Sequence, residues 1–379
     1  MVERSTSLQP IHERVDNFCR RFGLQVPILQ APMASASPPS LAAAVANAGG
    51  MGAHGALMTS PQGIRQWAND FRSQSNGSFQ LNIWIPDLPP VRDATVERRV
   101  RDFLASWGPP VPPEAGDVRL PDFEKQCEAF LEIAPPVVSS IIGLFAPDFV
   151  HECKRRNIAW FCCVTTLAEA LQARDAGADA IVVQGIEAGG HRGSFDAAAA
   201  ARQNGTLFAL LPRIATKIQD LPIIATGGIA DGRAVAAALI LGASAVQIGT
   251  GFLRCPEAKI ARPWADALQE LEPEETISTR AFTGRLGRAI ATDYAIGASA
   301  QGAPEPAAYP VQRGLTANMR ELGQKTNDLH RMQAWAGQAA ALAREEPAGD
   351  FARRLWKDAE DLLPPAFKQA AQTRTVGAG

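Results

Sequence analysis

A single histidine lies in a glycine-rich segment that could bring its side chain to a ligand. His191 belongs to the run QGIEAGGHRG at residues 184–193, where three glycines flank it closely in a polar loop after a short apolar run. Imidazole changes charge near neutral pH and is the side chain that enzymes use most often for proton transfer. We therefore predict that His191 is catalytic, with a solvated loop histidine as the alternative.

Two glycine pairs further along the chain have the composition of an anion site. The first lies in TGGI at residues 226–229 and the second in QIGTG at residues 247–251, each at the end of an apolar run. Glycines let backbone N–H groups approach an anion without hindrance from a side chain. Either pair alone is compatible with a tight turn, whereas the two in tandem favour a phosphate. The chain has no GxxxxGK[ST] run and no GxGxxG between a strand and a helix, so P-loop and Rossmann nucleotide binding lack support.

Two side-chain amides complete the candidate site. Asn82 lies near the end of the apolar run LNIW, and Gln184 ends the run before the histidine loop. An amide presents both a donor and an acceptor to the edge of a heterocycle. Together with the phosphate site and the lone histidine, the amides predict a mononucleotide-sized cofactor such as FMN. A phosphorylated sugar substrate could use the same phosphate site.

Eight short apolar runs, with helix-like segments between them, must position these residues. The helix after the fifth run starts at Thr166, an N-cap with Glu169 three positions on, and ends at Gly177. A later helix starts at Asp231 and ends before Gly242. Strands that alternate with helices form a parallel sheet, and eight such units favour a closed TIM (β/α)8 barrel, an α/β fold. The predicted strands cover residues 26–30, 51–55, 79–84, 137–142, 158–164, 180–184, 223–226 and 245–249.

Two regions lie outside the repeat and account for the roughly 130 residues beyond a minimal barrel of about 250. Residues 86–121 are rich in proline and charge, and they form a lid, part of a subdomain or a plain surface excursion. We divide the chain into an FMN-binding barrel at 1–254, with that insertion near 86–121, and a C-terminal cap of helices and loops at 255–379. The helices predicted in the cap cover residues 264–271, 315–322, 329–344 and 351–363, and the last dozen residues are expected to fray.

Composition limits the classes of partner. The net charge is −2 and 46% of the residues are hydrophobic, which predicts a globular chain without the basic surface that nucleic acid requires. The six cysteines show no metal-ligand spacing, and neither residues 1–8 nor residues 41–58 have the pattern of a signal peptide or a membrane span. We expect a cytoplasmic monomer or homodimer without metal, nucleic-acid or membrane partners. His12, His151 and His330 are expected to be peripheral, whereas His54, at the end of the second run, could line the site, with glycine-rich packing as the favoured explanation.

The runs described above combine with others into a specific set of motifs. The set comprises PILQAPM at 27–33, AAVANAGGMG at 43–52, Asn82, QGIEAGGHRG at 184–193, PIIATGGIADG at 222–232, QIGT at 247–250 and TGR at 283–285. It resembles the nitronate monooxygenase family, formerly called 2-nitropropane dioxygenases, over about residues 20–345. The run WAGQ at 335–338 is typical of the bacterial class I branch.

The resemblance implies an FMN-dependent TIM barrel that oxidises alkyl nitronates, or nitroalkanes, with O2 to carbonyl compounds and nitrite. His191 matches the catalytic histidine of the family's AGGH motif and would abstract the α-proton of a nitroalkane or stabilise and position a nitronate anion. The resemblance requires no metal. It assigns Gln30, Ala31, Pro32 and Met33 to the isoalloxazine, and Asn82, Gln184, Gly189, Gly190, Gly227, Gly228, Gln247, Ile248, Gly249 and Thr250 to FMN contacts.

The substrate side departs from the family pattern. The resemblance implies a class I pocket lined by several tyrosines and a lysine, but this chain has only Tyr294 and Tyr309. Tyr309-Pro310 matches the family's YP segment, and Arg313 stands four residues after the tyrosine. Arginine can still hold an anionic nitro group. We therefore assign Tyr309 and Arg313 to the substrate.

Two other functions stay open on the sequence. The first is an FMN-dependent NAD(P)H oxidoreductase acting on quinones or enoyl thioesters, which resembles this chain in its barrel and phosphate site. A fifth-strand lysine often found in that branch is replaced here by Cys162 and Cys163, which weakens this alternative. The second is a flavin-binding barrel without catalytic activity.

Overall fold

Eight parallel strands close into a barrel, which confirms the predicted TIM fold. The computed structural model describes residues 9–364. The strands are β1 (Ile28–Gln30), β2 (Met51–Gly55), β3 (Ser78–Trp84), β4 (Val137–Ile141), β5 (Ala159–Val164), β6 (Ala180–Gln184), β7 (Gly190–His191), β8 (Ile223–Thr226), β9 (Ala245–Ile248), β10 (Thr276–Thr279) and β11 (Gly287–Ile290). Around the barrel the strand order is β1-β2-β3-β4-β5-β6-β8-β9, and Leu29 of β1 lies opposite both Met51 of β2 and Gln247 of β9.

Helices follow the strands as the capping signals predict. The Thr166 side chain accepts a hydrogen bond from the backbone N–H of Glu169, and Asp231 does the same for Ala234. The helices are α1 (Ile11–Phe22), α2 (Pro39–Asn47), α3 (Pro61–Arg72), α4 (Ala94–Leu104), α5 (Phe123–Ile133), α6 (Pro147–Arg155), α7 (Leu167–Asp175), α8 (Leu207–Lys217), α9 (Gly232–Ile240), α10 (Arg262–Ala267), α11 (Asp293–Gly297), α12 (Val311–Leu315), α13 (Ala317–Thr326) and α14 (Ala348–Leu362).

Alternation along the strands separates an apolar outer face from a partly polar lumen. In β3, Phe79 packs against Trp67 and Phe71 of α3, so the residues on its side of the strand face the helices. Gln80 lies on the opposite side and donates to Gln247 of β9 across 3.0 Å. Asn82, two residues after Gln80 on the same side of β3, therefore also projects into the barrel.

A second apolar cluster joins the insertion to the C-terminal region. It contains Val100 and Leu104 of α4 together with Tyr294, Val311 and Leu315. The final helix does not belong to it: α14 lies against α9 and α2, and its apolar residues pack into the core around the barrel. The proposed division of the chain at residue 254 stays a prediction.

The helix predicted at 329–344 is wrong. This segment contains only short 3-10 turns at Leu329–Arg331 and Ala340–Leu342. Between them the chain runs beside β11, where Ile290 donates to the carbonyl of Ala334 at 2.9 Å and Ala336 donates to the carbonyl of Arg288 at 3.3 Å. Backbone groups used by a neighbouring strand cannot close helical turns, so tertiary pairing overrides the local helical pattern.

Some expectations fall outside the described residues. These are the absence of a signal peptide, argued on residues 1–8, and the fraying of the last dozen residues. Between residues 9 and 364, no helix combines the length and apolar character needed to cross a membrane. In the same range, no group of three or more His, Cys, Asp or Glu side chains could hold a metal ion.

Candidate active site

The strand ends bring most of the predicted site residues to one end of the barrel. The parallel strands β1, β3, β6, β8 and β9 all end at the same face, which is where barrel enzymes place their sites. Residues that follow β1 and β9 also meet there: a Cβ on Gly249 would lie 3.5 Å from the Cβ of Ala31 and 3.6 Å from the Sδ of Met33. The segments after the first and last strands therefore form one continuous surface.

The two predicted glycine pairs present unused backbone donors. Gly227 and Gly228 have φ angles of +111° and +68°, which a side chain would strain. Within the described range, the backbone N–H groups of Gly227, Gly228, Gly249 and Thr250 have no backbone acceptor. Buried or partly buried N–H groups normally find a partner, so this arrangement suits an anion such as a phosphate.

Gly189 is also required to be glycine, because the backbone of another segment approaches it closely. A Cβ on Gly189 would lie 2.5 Å from the backbone nitrogen of Gly337 and 2.9 Å from Oγ1 of Thr250. The Gly337 N–H donates to that same Oγ1 at 2.9 Å. The loop after β6, the segment after β9 and the WAGQ run thus meet at a point where only glycine fits. Gly337 was not assigned a role from the sequence, although it lies in the family-typical run.

The amides already have partners inside the barrel. Asn82 donates to Oγ of Ser139 at 3.0 Å. Gln30 accepts from the backbone N–H of Ala53 at 2.9 Å. Gln80, which sequence reasoning missed, donates to Gln247, yet its own Oε1 is buried without a partner among residues 9–364. Its position two residues before Asn82, on the lumen side of one strand, is the signal that could have identified it.

His191 lies at the centre of an aromatic and hydroxyl environment. Its ring packs edge-on against Trp84 and Trp335, with centroid distances of 4.5 and 4.7 Å. Its Nε2 lies 2.9 Å from Oγ1 of Thr283. Burial, reinforced by the positive charges of Arg313 and Arg285, lowers the pKa of His191 to about 3. The imidazole is therefore neutral at neutral pH.

Thr283 favours one tautomer of that neutral ring. Its hydroxyl lies 3.2 Å from the carbonyl oxygen of Arg285, to which it can donate. With its hydrogen so used, Oγ1 accepts from Nε2–H of His191, which leaves Nδ1 unprotonated. In the described part of the chain, Nδ1 has no hydrogen-bond partner. This atom is therefore the one available to accept a proton.

Tyr309 and Arg313 approach the histidine from the second apolar cluster. The Tyr309 ring lies 5.3 Å from that of Trp84, and its buried hydroxyl has no partner in residues 9–364. Burial raises the pKa of Tyr309 to about 12, so the hydroxyl stays protonated. Arg313 is half-buried and, across the described residues, forms no ion pair. By contrast, nearby Arg285 is neutralised by Asp87, with Nε donating to Oδ2 at 2.8 Å.

The remaining predicted or discounted residues lie elsewhere. His54 stacks on Trp67 with ring centroids 4.7 Å apart and so faces the helical layer. Tyr294 is buried and donates to the carbonyl of Ala281 at 3.0 Å, outside the site. Burial raises the pKa of both Cys162 and Cys163, which leaves their thiols protonated and unreactive.

The sequence and the structure are similar to known proteins over nearly their whole length. The family model described as nitronate monooxygenase matches residues 18–358. A nitronate monooxygenase from Paraburkholderia phytofirmans is 40% identical over 354 residues, 90% of this chain and 94% of the relative. One from Pseudomonas aeruginosa is 37% identical over 346 residues, 90% of this chain and 98% of the relative.

Two solved structures have the same architecture. Nitroalkane oxidase from Streptomyces ansochromogenes superposes with a TM-score of 0.82 at 32% identity and covers 91% of this chain and 98% of its own. FabK from Thermotoga maritima superposes with a TM-score of 0.70 at 26% identity and covers 91% of this chain and 96% of its own.

Proposed function

The chain belongs to the nitronate monooxygenase family, and from this premise we propose that it oxidises alkyl nitronates with O2 to carbonyl compounds and nitrite, using FMN. One observation carries the proposal. Trp84 contacts both the neutral imidazole of His191 and the ring of Tyr309, whose hydroxyl has no partner among the described residues. The positive charge of Arg313, which has no carboxylate partner in residues 9–364, acts on both of these side chains. These are the groups that an anionic, weakly basic substrate requires.

The residues at the barrel mouth fit FMN. The donors of Gly227, Gly228, Gly249 and Thr250 would hold its phosphate, and the orphaned Oε1 of Gln80 marks unused hydrogen-bonding capacity in the lumen. When bound, FMN supplies the acceptor for the substrate's electrons and the site of reaction with O2. The other residues proposed to contact it are Gln30, Ala31, Pro32, Met33, Asn82, Gln184, Gly189, Gly190, Gln247 and Ile248.

The substrate's negative charge would be held by Arg313 and Tyr309. A nitronate carries its charge on two oxygen atoms, and a guanidinium can donate to both in parallel. The Tyr309 hydroxyl, kept protonated by burial, adds a neutral donor. Arg285 is neutralised by Asp87, whereas Arg313 has no carboxylate partner among the described residues, so we assign the substrate's charge to Arg313.

His191 would position the substrate and, for a neutral nitroalkane, accept its α-proton at Nδ1. Lowering of its pKa to about 3 makes the imidazole a weak base. A preformed nitronate needs no proton removed, so the site favours nitronates over neutral nitroalkanes. Cytoplasmic location and a monomeric or homodimeric state stay predictions, as does independence from nucleic acid and membranes.

Anaerobic stopped flow of the FMN-loaded protein tests the proposal. We expect 2-nitropropane nitronate or propionate 3-nitronate to bleach the flavin absorbance far faster than NADPH, and aerobic turnover to release nitrite without NADPH. Bleaching by NADPH within seconds, with none by nitronates, would instead establish the NAD(P)H oxidoreductase. No bleaching by either, and identical behaviour of His191→Ala, would establish a binding protein without activity.

A further inference from the structure

A buried arginine next to the catalytic histidine ties down the loop that carries it. Arg192 is 5% exposed. Its Nη1 donates to the backbone oxygen of Gln184 and its Nη2 to that of Gln203, each at 2.7 Å. Its own N–H donates to the carbonyl of Leu286 at 2.9 Å. Arg192 therefore connects the end of β6 at Gln184, the loop at Gln203 and, through Leu286, the segment before β11 that contains Thr283.

The Gln184 side chain closes the same loop from the lumen. Its Nε2 donates to the carbonyl of His191 at 3.0 Å, and its Oε1 accepts from the N–H of Gly193 at 2.8 Å. Arg192 thus holds the backbone of Gln184, while the Gln184 side chain holds the two residues on either side of Arg192, which are His191 and Gly193. The backbone of the histidine is thereby fixed relative to β6, and Thr283 then fixes its ring.

Charge pairing does not explain why an arginine is buried here. Within the described chain, Arg192 forms no ion pair, and its Nε has no hydrogen-bond partner. The carboxylates whose charge acts on it are those of Glu169 and Glu187. Each of these carboxylates is occupied by backbone donors, from Phe195 at 3.0 Å and Leu207 at 2.9 Å respectively. Burying an unpaired charge costs free energy, so a gain in stability does not explain this arginine. Its pair of hydrogen bonds to the carbonyls of Gln184 and Gln203, which we call the fork, is better explained by a need to fix the shape of the loop.

We propose that Arg192 is a positioning residue, whose fork on Gln184 and Gln203 holds His191 against Thr283 between the two tryptophans. The inference rests on the proposed function only in taking His191 as the group that meets the substrate. Lysine cannot reproduce the fork, because a single ammonium is a point donor whereas guanidinium donates in two fixed directions.

The kinetic test compares Arg192→Met and Arg192→Lys with Arg202→Met. Arg202 is an exposed arginine of the same loop. We expect Arg192→Met to lower kcat for a nitronate about 10²-fold, as misplacement by 1 Å can do, with FMN content and KM changed less than threefold. Arg192→Lys should recover part of the loss, and Arg202→Met should match the natural protein.

The structural test uses NMR titration of the histidine rings in the same FMN-loaded variants. In the natural protein the His191 resonance should stay that of a neutral ring down to pH 5. In Arg192→Met the ring gains water while Arg285, Arg313 and Asp87 stay in place, so its pKa should rise toward the ordinary value of about 6.5. A lower melting temperature with an unchanged His191 resonance and unchanged kcat overturns the proposal.

The two tests separate the possible failures. If Arg192→Met does not fold, Arg192→Lys decides, and an unchanged resonance and kcat in that variant overturns the proposal. If the natural protein oxidises no nitronate, the proposed function fails, while the shift of the His191 titration still decides the role of Arg192.

Discussion

Gln247 and Arg313 both lie at the barrel mouth, but the chain positions them by different means. Gln247 belongs to β9, which hydrogen bonds on one side to β1 and on the other to β8. Arg313 lies on the five-residue helix α12, which packs against a 3-10 turn of the insertion at Pro113–Gly116. A Cβ on Gly314 would lie 2.0 Å from the carbonyl oxygen of Ala115, so this contact admits only glycine.

The difference separates the side proposed to bind the cofactor from the side proposed to bind the substrate, which we call the cofactor side and the substrate side. Sheet register places the residues of the cofactor side, and each strand end is specified by its two neighbours. The residues of the substrate side depend on contacts between α4 and α12, segments that lie about 200 positions apart in the chain. In the insertion, Arg92 donates to Asp117 at 2.7 Å and also pairs with Glu97, which connects α4 to the segment after it. We therefore expect substitutions on the substrate side to change substrate preference without disturbing flavin binding.

The largest effect is expected where the two sides meet. His191→Ala should lower kcat/KM for nitronates about 10²- to 10⁴-fold, because proton transfer and positioning by imidazole contribute that much. FMN content, measured by absorbance after denaturation, should be unchanged. His330→Ala is the control, since His330 pairs with Asp293 at the surface. A fully active His191→Ala would contradict the shared role of this residue.

A change confined to the cofactor side should weaken flavin binding. Gly189→Ala places a Cβ against Gly337 and Thr250, and such overpacking costs about 1–3 kcal/mol. We expect the Kd for FMN, measured by quenching of flavin fluorescence, to rise about 10- to 100-fold. Gly302→Ala separates backbone strain from overlap, because Gly302 has a positive φ and no atom within 4 Å of a Cβ, whereas Gly189 has close neighbours but no positive φ. Equal behaviour of the two variants would show that overlap is not the cause.

A change confined to the substrate side should leave the flavin in place. Arg313→Met should raise KM for a nitronate about tenfold, since hydrogen bonds to a charged group contribute about 1.5 kcal/mol or more. Arg313→Lys keeps the charge and should recover part of the affinity. The Kd for FMN should not move in either variant. Loss of FMN from Arg313→Met would show that the two sides are coupled.

The smallest effect is expected from pH. Burial and two arginines hold the pKa of His191 at about 3, so the ring is neutral at any pH above that value. The activity that depends on the neutral ring should therefore change less than about twofold between pH 5 and 7 and fall only as pH approaches 3. Initial rates with a preformed nitronate in buffers of constant ionic strength measure this. An acid limb near 6.5 would show an exposed, ordinary histidine.

Local sequence signals, namely helix caps and short apolar runs, were sufficient to predict the barrel. Thr166 and Asp231 cap their helices as their spacing indicates, and all eight predicted strands are present. The helix predicted at 329–344 was wrong because its backbone pairs with β11. Gln80 was missed as a member of the site because it stands neither at a strand end nor beside a glycine, and Thr283 was noted only as part of the TGR run, without a role of its own. Both contribute through partners far away in the chain, at Gln247 and His191.

By itself, the sequence determined the strands, the glycine pairs and the histidine loop, because period, caps and turn residues act over a few positions. Only the tertiary structure decided the state of His191, since its low pKa results from burial and from Arg285 and Arg313, more than ninety positions away. It also decided how the two arginines differ: Asp87 neutralises Arg285, while Arg313 has no carboxylate partner in the described chain. Charge and desolvation depend on distances in space, which local sequence patterns do not contain.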